Sequence, residues 1–299
     1  MGAAEDIRAA WARFADRRER HPQHTLFTHP LPAFPWPERR AVKPEPHVAI
    51  VTPCKDVAPT LPTYAALIDG LAYPKDRLHW IVLEGDSTDD SEIAVRSMLG
   101  VAGGYASTRF LKHNVGSGHV RASRTEAGLQ RARRAAIASC RNRLLEAAMQ
   151  TPAEYVLFID ADMAEIPSNA VARAVAWNAP VLAANCLRHQ GDRVFDRNSF
   201  RYVRPPSDRS VRRFLRDGLY QPPTGFFRHY PSPGDGLRSL SCVGGTFLMI
   251  RRDVIEAGAK FPETPYQLHI ETEGFALKAA DLGFGSFMDA DLIVRHGPH

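Results

Sequence analysis

The chain has 299 residues, 44% of them hydrophobic, and a formal charge of +5 at neutral pH. That size and apolar content exclude a disordered tail and suffice for one large domain with appendages, and no apolar run approaches the roughly 20 residues of a membrane-spanning helix. Four scattered cysteines, Cys54, Cys140, Cys186 and Cys242, lack paired metal-ligand spacing and read as reduced core thiols rather than a disulfide framework, while the basic balance suits an anionic ligand.

Residues 1–20 carry the spacing of a short amphipathic helix, charged throughout and without a signal-peptide core, which makes the cytoplasm the expected location. Residues 21–46 hold too many prolines for a helix or a central strand, so 1–46 reads as a Pro-rich arm ahead of a domain spanning 47–299. "HVAIVTPCKD" is a compact apolar run, the first buried strand, and "TLPTYAALIDGLAYP" follows with helical spacing. "LHWIVLEGDSTDDS" is a second strand ending in an acidic turn, "SEIAVRSMLG" a helix and "STRFLKHN" a third strand. The Gly-, Ser- and Arg-containing segment 114–128 reads as a mobile loop, 129–150 as a long helix, and "AEYVLFIDADM" as the next strand. Beyond it, "NAPVLAANCLR" is a strand, and 187–238 is rich in Arg, Pro, Tyr and Phe without clear periodicity. "LSCVGGTFLMIRRDVIEAG" is a strand leading into a helix, "HIETEGFALKAADLGFG" a helix with an acidic start, and "SFMDADLIVRHGPH" a closing strand with His296.

Strands alternating with helices, several of the strands continuously apolar, predict an α/β fold with a mostly parallel central sheet covered on both faces. Ligands on such sheets bind beyond the carboxyl ends of the strands. Three of those ends carry Thr52-Pro53-Cys54-Lys55-Asp56, Glu84-Gly85-Asp86-Ser87 and Asp160-Ala161-Asp162, and they are expected to converge on one edge. An irregular stretch as long as 187–238 is usually functional or mobile, and acceptor recognition is assigned to it.

The apolar run Tyr155–Ile159 drives straight into Asp160 and Asp162, with Glu165 just behind. Burying unpaired carboxylates is costly, so the cluster should sit at a strand's end, paired with cations or holding a metal. Flanking a single residue, both carboxylates can face one hard divalent cation, Mn2+ or Mg2+, and the phosphates it bridges. A lone Asp-x-Asp also occurs as a solvated turn or helix cap. Asp289-Ala290-Asp291 has the same form; the first copy is preferred because it follows the stronger apolar strand at the middle of the predicted sheet.

Four stretches raise the odds in combination: "VAIVTPCKDVAPTL" with "VLEGDSTDDS", "AAIASCRNRLLEAA" leading into "YVLFIDADMAEIP", "CVGGTFLMIRRDVIEAG", and "IETEGFALKAADLGFG" with His296. Through them the chain resembles the GT-A glycosyltransferases, and within these the fungal Golgi α-mannosyltransferases of the Anp/Mnn/Van type. The resemblance implies a GT-A (Rossmann-like) domain, with a nucleotide-binding half at about 47–165 and an acceptor-side half at about 166–299. It implies that Thr52, Pro53, Glu84 and Asp86 line the pocket for base and ribose, and that Arg141 and Asn142 lie near the nucleotide and its diphosphate. Asp160 and Asp162 would hold the metal, with His296 a third ligand. Gly244 and Gly245 would let backbone approach the sugar or acceptor, and Glu271 and Glu273 would face the transferred sugar. Each has a plainer alternative: a turn and cap at Asp86, a surface helix residue at Arg141, a bulge at the glycines, and a helix N-terminus favouring acids at Glu271 and Glu273. The fungal relatives are membrane-anchored through an N-terminal segment, where this chain has a proline-rich arm.

The expected activity is metal-dependent transfer of a hexose from a nucleotide diphosphate sugar to a hydroxyl acceptor: a glycan, a small molecule or modified DNA. GDP-mannose is favoured by the resemblance, and a UDP-hexose is possible. Arg141, or a loop arginine such as Arg121 or Arg124, would help the diphosphate leave, and the resemblance implies retention of configuration. With inversion, Glu271 or Glu273 would be the base, and Asp162 counts with them among the catalytic residues. Two alternatives stand: a sugar transferase acting on hydroxymethylated DNA bases, and a non-catalytic glycan- or nucleotide-binding subunit.

Overall fold

A computed structural model describes residues 34–40, 44–116, 127–204 and 206–297, with backbone alone for 127–130. In chain order the elements are β1 (Val48–Cys54), α1 (Leu61–Asp69), β2 (Leu78–Glu84), α2 (Ser91–Val101), β3 (Ser107–Lys112), α3 (Ala127–Met149), β4 (Tyr155–Ile159), β5 (Met163–Glu165), α4 (Ala170–Ala176) and β6 (Val181–Arg188). An irregular insertion follows with β7 (Arg201–Tyr202), α5 (Asp208–Phe214), β8 (Leu215–Arg216), β9 (Leu219–Tyr220) and β10 (Arg228–His229). The chain returns through β11 (Leu237–Leu240), β12 (Phe247–Arg251), α6 (Arg252–Glu256), α7 (Glu271–Asp281) and β13 (Ser286–His296).

The expected α/β architecture is present: one nine-stranded sheet in the order β11-β13-β6-β12-β4-β1-β2-β3, with β5 paired to β13. Its parallel character is concentrated in β4-β1-β2-β3 and in the β6-β13 pair, whereas β12 runs antiparallel to both β4 and β6. Period-two alternation explains the two cores: Val48 and Ile50 of β1 and Leu157 of β4 face α1, α2 and α4, while Ala49, Val51 and Phe158 face α3 and α7. Because both faces are covered, β1, β2 and β4 are apolar along most of their length, with Thr52, His79 and Glu84 as buried polar exceptions. A third, smaller cluster of Phe200, Tyr202, Val211, Tyr220 and Cys242 holds the insertion together.

The described part of the proline-rich arm lies on the domain, with the Trp36 ring 5.7 Å from Phe287 and the Arg39 guanidinium 4.3 Å over Trp177. The rest of the arm and most of the loop at 114–128, with Arg121 and Arg124, lie outside the described residues. All four cysteines are free thiols. Among the described residues no helix is long and apolar enough to cross a membrane.

Candidate functional site

β4, β1 and β2 run side by side and parallel, so their C-terminal ends bring Asp160-Ala161-Asp162, Pro53 to Asp56, and Gly85-Asp86 to one rim. Together they line a cleft of about 960 Å3, closed opposite by Asp196-Arg197-Asn198, Gly245-Thr246 and Glu271-Thr272. The loops after β1 and β2 interlock. Asp56 and Asp86 both adopt left-handed backbone (φ 51° and 58°), which aspartate tolerates by bonding nearby backbone. Asp56 accepts from the Thr88 amide at 2.7 Å, and Asp86 from the amides of Val115 and Gly116 at 3.2 and 3.3 Å.

Asp160, Asp162 and His296 each turn one potential ligand atom inward, and these atoms all lie within 4.8 Å of one another. His296 arrives from the far end of the chain because β13 pairs with β5, the short strand immediately after Asp162, and its bulge at Arg295/His296 resets the register there. The ring is buried and stacked on Phe195 with centroids 3.7 Å apart. In the tautomer that donates Nδ1–H to the Gly297 carbonyl at 3.0 Å, the Nε2 lone pair faces Asp162 Oδ1 at 2.9 Å. Two lone pairs at that separation need a cation near both or a proton on the ring. Burial pushes the His296 pKa down, but hydrogen bonding and charge from Asp162 outweigh it and raise it. Two carboxylates and one imidazole are a donor set that suits Mn2+ and similar ions, so the residues present fit a divalent metal.

Behind the carboxylates stands Arg141 of α3, only 5% exposed. Its guanidinium donates to the Gly245 carbonyl at 3.3 Å, reaches Asp160 Oδ1 at 3.5 Å, and lies 5.0 and 5.5 Å from the Phe158 and Phe261 rings. Asp160 sits deep in the cleft floor although its side chain keeps 27% exposure to the opening. Burial raises its pKa, Arg141 opposes that, and Asp162 adds to it; a cation in the cleft would relieve the same strain.

The two glycines are spaces carved for charged groups. A Cβ on Gly245 would fall 2.3 Å from the Arg141 guanidinium, and one on Gly244 would fall 1.8 Å from the Asp196 carboxylate. Asp196 is buried and accepts from the Thr246 hydroxyl at 3.0 Å. On the opposite wall Arg134 donates to Glu271 Oε1 at 2.9 Å, leaving the buried Oε2 without a hydrogen-bond partner.

Of the residues singled out in the sequence, Pro53, Asp86, Arg141, Asp160, Asp162, Gly245, Glu271 and His296 line the cleft, while Thr52, Glu84, Asn142, Gly244 and Glu273 do not. Thr52 is fully buried with its hydroxyl against Tyr64. Glu84 is fully buried too, paired with Lys112 and accepting from the Ser87 amide at 2.9 Å, so it shapes the turn that presents Asp86. Asn142 clamps α3 to the backbone of Phe261 through bonds of 2.9 and 2.8 Å. Glu273 is buried and does not line the cleft; burial pushes it up to about 7, against the pull of Arg228 and Arg134. The second Asp-x-Asp is structural: Asp289 is fully buried and takes two bonds from Arg173, at 2.6 and 2.7 Å, and one from Trp177 at 2.9 Å.

Sequence reasoning passed over Asp196, Phe195 and Arg134. The first two sit in the aperiodic stretch, which carries no pattern to single them out. Arg134 did have a signal, since it stands seven residues, two helical turns, before Arg141 and so shares its face.

The family model Anp1 matches residues 37–216. The chain is 28% identical over 279 residues to Mannan polymerase complex subunit mnn9 of Schizosaccharomyces pombe, covering 85% of this chain and 81% of that protein. To Mannan polymerase complex subunit MNN9 of Candida albicans it is 30% identical over 187 residues, 56% of this chain and half of that one (50%). Among solved structures, the mannosyltransferase PcManGT from Pyrobaculum calidifontis, in complex with GDP-Man and Mn2+, superposes with a TM-score of 0.53 at 16% identity, covering 98% of this chain and 66% of that one. GalNAc-T7 with UDP, GalNAc and Mn2+ gives the same TM-score of 0.53 at 11% identity, over 86% of this chain and 45% of that one. At such identities the likeness is one of fold, the GT-A fold.

Proposed function

The chain belongs to the Anp1 family, and from that premise and the cluster of Asp160, Asp162 and His296 at its parallel strand ends we propose that it is a metal-dependent hexosyltransferase using a nucleotide diphosphate sugar. The observation that carries the proposal is the convergence of the neighbouring Asp160 and Asp162 with His296 of the last strand, one ligand atom from each, in the cleft. GDP-mannose is the favoured donor, in keeping with the GDP-Man bound by the Pyrobaculum calidifontis mannosyltransferase and with the mannan polymerase names of the relatives.

In this reading Pro53 and Asp86 border the base and ribose, and the diphosphate lies between Arg141 and the carboxylate pair. Asp160, Asp162 and His296 would hold Mn2+ or Mg2+, which as a Lewis acid offsets charge on the diphosphate. Arg141 contributes fixed positive charge at the same place, already oriented by the Gly245 carbonyl and shielded between two rings, where little reorganisation is needed. Glu271, its first oxygen fixed by Arg134, lines the cleft on the side that the transferred hexose would occupy. With retention, the acceptor hydroxyl approaches the anomeric carbon on the leaving-group side. The new carbon–oxygen bond forms as the bond to the diphosphate breaks, and the hydroxyl proton passes to the departing diphosphate oxygen, so no separate base is required. Glu273 acts beneath the insertion and not on the substrate.

The test is release of nucleoside diphosphate by the purified protein from GDP-mannose, UDP-glucose, UDP-galactose and UDP-N-acetylglucosamine, with Mn2+, with EDTA, and for Asp162→Ala. Metal-dependent release from one donor, abolished in the variant, is the expected result. Nucleotide binding without turnover from any donor, also with mannosides supplied as acceptors, would reassign the chain as a binding subunit of a complex.

A further inference from the structure

The acceptor-side insertion carries a second feature that the transfer chemistry does not use. Between residues 201 and 216 stand six arginines, Arg201, Arg204, Arg209, Arg212, Arg213 and Arg216, against a single acid, Asp208. All six arginines are exposed, and among the described residues none of them forms an ion pair with a carboxylate. Two of them, Arg204 and Arg213, are placed against aromatic rings instead. The Arg204 guanidinium lies 4.6 Å over Phe226, Phe226 meets Phe227 at 5.0 Å, Phe227 meets Phe214 at 5.2 Å, and Arg213 lies 5.3 Å from Phe214. Apolar groups protrude through this basic surface: Phe226 is 56% exposed, Val203 48% and Leu215 39%.

A solvated helix face does not need this arrangement. Arginines on a water-facing surface find carboxylate partners or stand apart, and a ring as large as Phe226 held out among them loses hydrophobic free energy in water. The combination suits an interface that is anionic at its surface and apolar just beneath. Guanidinium groups meet phosphate oxygens bidentately, and an aromatic ring and two aliphatic side chains enter the boundary below the headgroups. A nucleic acid would satisfy the arginines but offers no apolar layer to Val203 and Leu215. We propose that the insertion face built from Arg204, Arg212, Arg213, Arg216, Phe226 and Leu215 docks the protein on the surface of a bilayer rich in anionic phospholipids. The face adjoins the cleft, because Arg197, a cleft-lining residue, reaches Thr224 Oγ1 at 3.5 Å on the turn that carries Phe226. Docking there brings the acceptor side of the cleft close to the membrane surface. The inference is independent of which sugar is transferred.

The experiment is co-sedimentation of the full chain with large vesicles of phosphatidylcholine alone and of phosphatidylcholine mixed with anionic phosphatidylglycerol, whose surface charge attracts arginines near it, at low and high salt. Wild type, Arg204→Glu/Arg213→Glu and Phe226→Ser are compared, with near-ultraviolet circular dichroism confirming the fold of each. Wild type is expected to partition onto the anionic vesicles and to leave them as salt screens the arginines. At about fivefold per surface arginine, the double charge reversal should lower partitioning by at least about 25-fold. Phe226→Ser should lower it severalfold without changing its salt dependence. Equal partitioning onto neutral vesicles, or undiminished binding by the double variant, would overturn the proposal. So would duplex DNA binding, or self-association in light scattering, that is lost in the same variants while wild type ignores vesicles.

Discussion

Gly245→Ala tests whether the Arg141 guanidinium occupies the space this glycine leaves. The added methyl would lie 2.3 to 2.5 Å from the guanidinium atoms, where ordinary contact needs about 3.5 Å, so about 1 Å must be found. Arg141 cannot swing aside easily, being 5% exposed and flanked by Phe158 and Phe261. Gly245 is not among the residues with positive φ, so alanine brings no backbone strain and the cost is collision alone. Overpacking of this kind costs about 1–3 kcal/mol, and weakening the charged bonds from Arg141 to the Gly245 carbonyl and Asp160 adds about 1.5–3 kcal/mol. A net loss of about 2.5–6 kcal/mol follows, a large share of the stability of a domain. Urea unfolding of wild type, Gly245→Ala, Arg141→Ala and the double variant closes a cycle. With the guanidinium removed, the methyl should cost less than about 1 kcal/mol. An equal cost in both backgrounds would refute the reasoning.

Asp162→Ala and His296→Ala should each weaken Mn2+ binding at least about tenfold by calorimetry; unchanged affinity in either would remove that residue from the ligand set. Glu273 keeps its proton in the folded protein up to about 7, whereas an ordinary glutamate releases it near 4.5, so wild-type stability falls as pH rises through that window. Glu273→Gln, which mimics the protonated acid beside Arg228, Arg134, Glu271 and Asp196, should flatten the stability–pH curve there by about 3 kcal/mol; parallel curves would show that the carboxylate is already relieved. Asp289→Ala should destabilise by about 3–5 kcal/mol, since it strands the Arg173 charge, and leave Mn2+ affinity intact in the folded protein. A matching loss of metal binding would mean that the second Asp-x-Asp belongs to the site.

The order of the elements was legible because it rests on local pattern. Predominantly apolar runs at Val48–Cys54, Leu78–Glu84 and Tyr155–Ile159 mark strands covered on both faces, and a polar turn at the end of each marks where a ligand can bind. The carboxylates of Asp160 and Asp162 were legible for the same reason, as charge placed where burial begins to cost. Glu84 shows the limit of that logic: it reads as part of an exposed acidic turn, yet Lys112 of the neighbouring strand makes its complete burial tolerable. Asp289 shows the limit from the other side, because Asp-Ala-Asp has the same local form at both places and only Arg173 and Trp177, more than a hundred residues away, make one of them a core ion pair.

By itself, then, the sequence determined the alternation of strands and helices, the edge at which chemistry could occur, and the preference for the first carboxylate pair, all of which follow from periodicity and from the cost of burying charge. The meeting of His296 with Asp162 was implied by the resemblance and by no local pattern, and tertiary structure alone decided that Asp196 fills the space beside Gly244. It also fixed Arg134 on Glu271 and buried Glu273 outside the cleft lining. Such placements depend on which strands and loops become neighbours after folding, and the short polar contacts among them, His296 with Asp162 and Arg134 with Glu271, join residues that no local spacing relates.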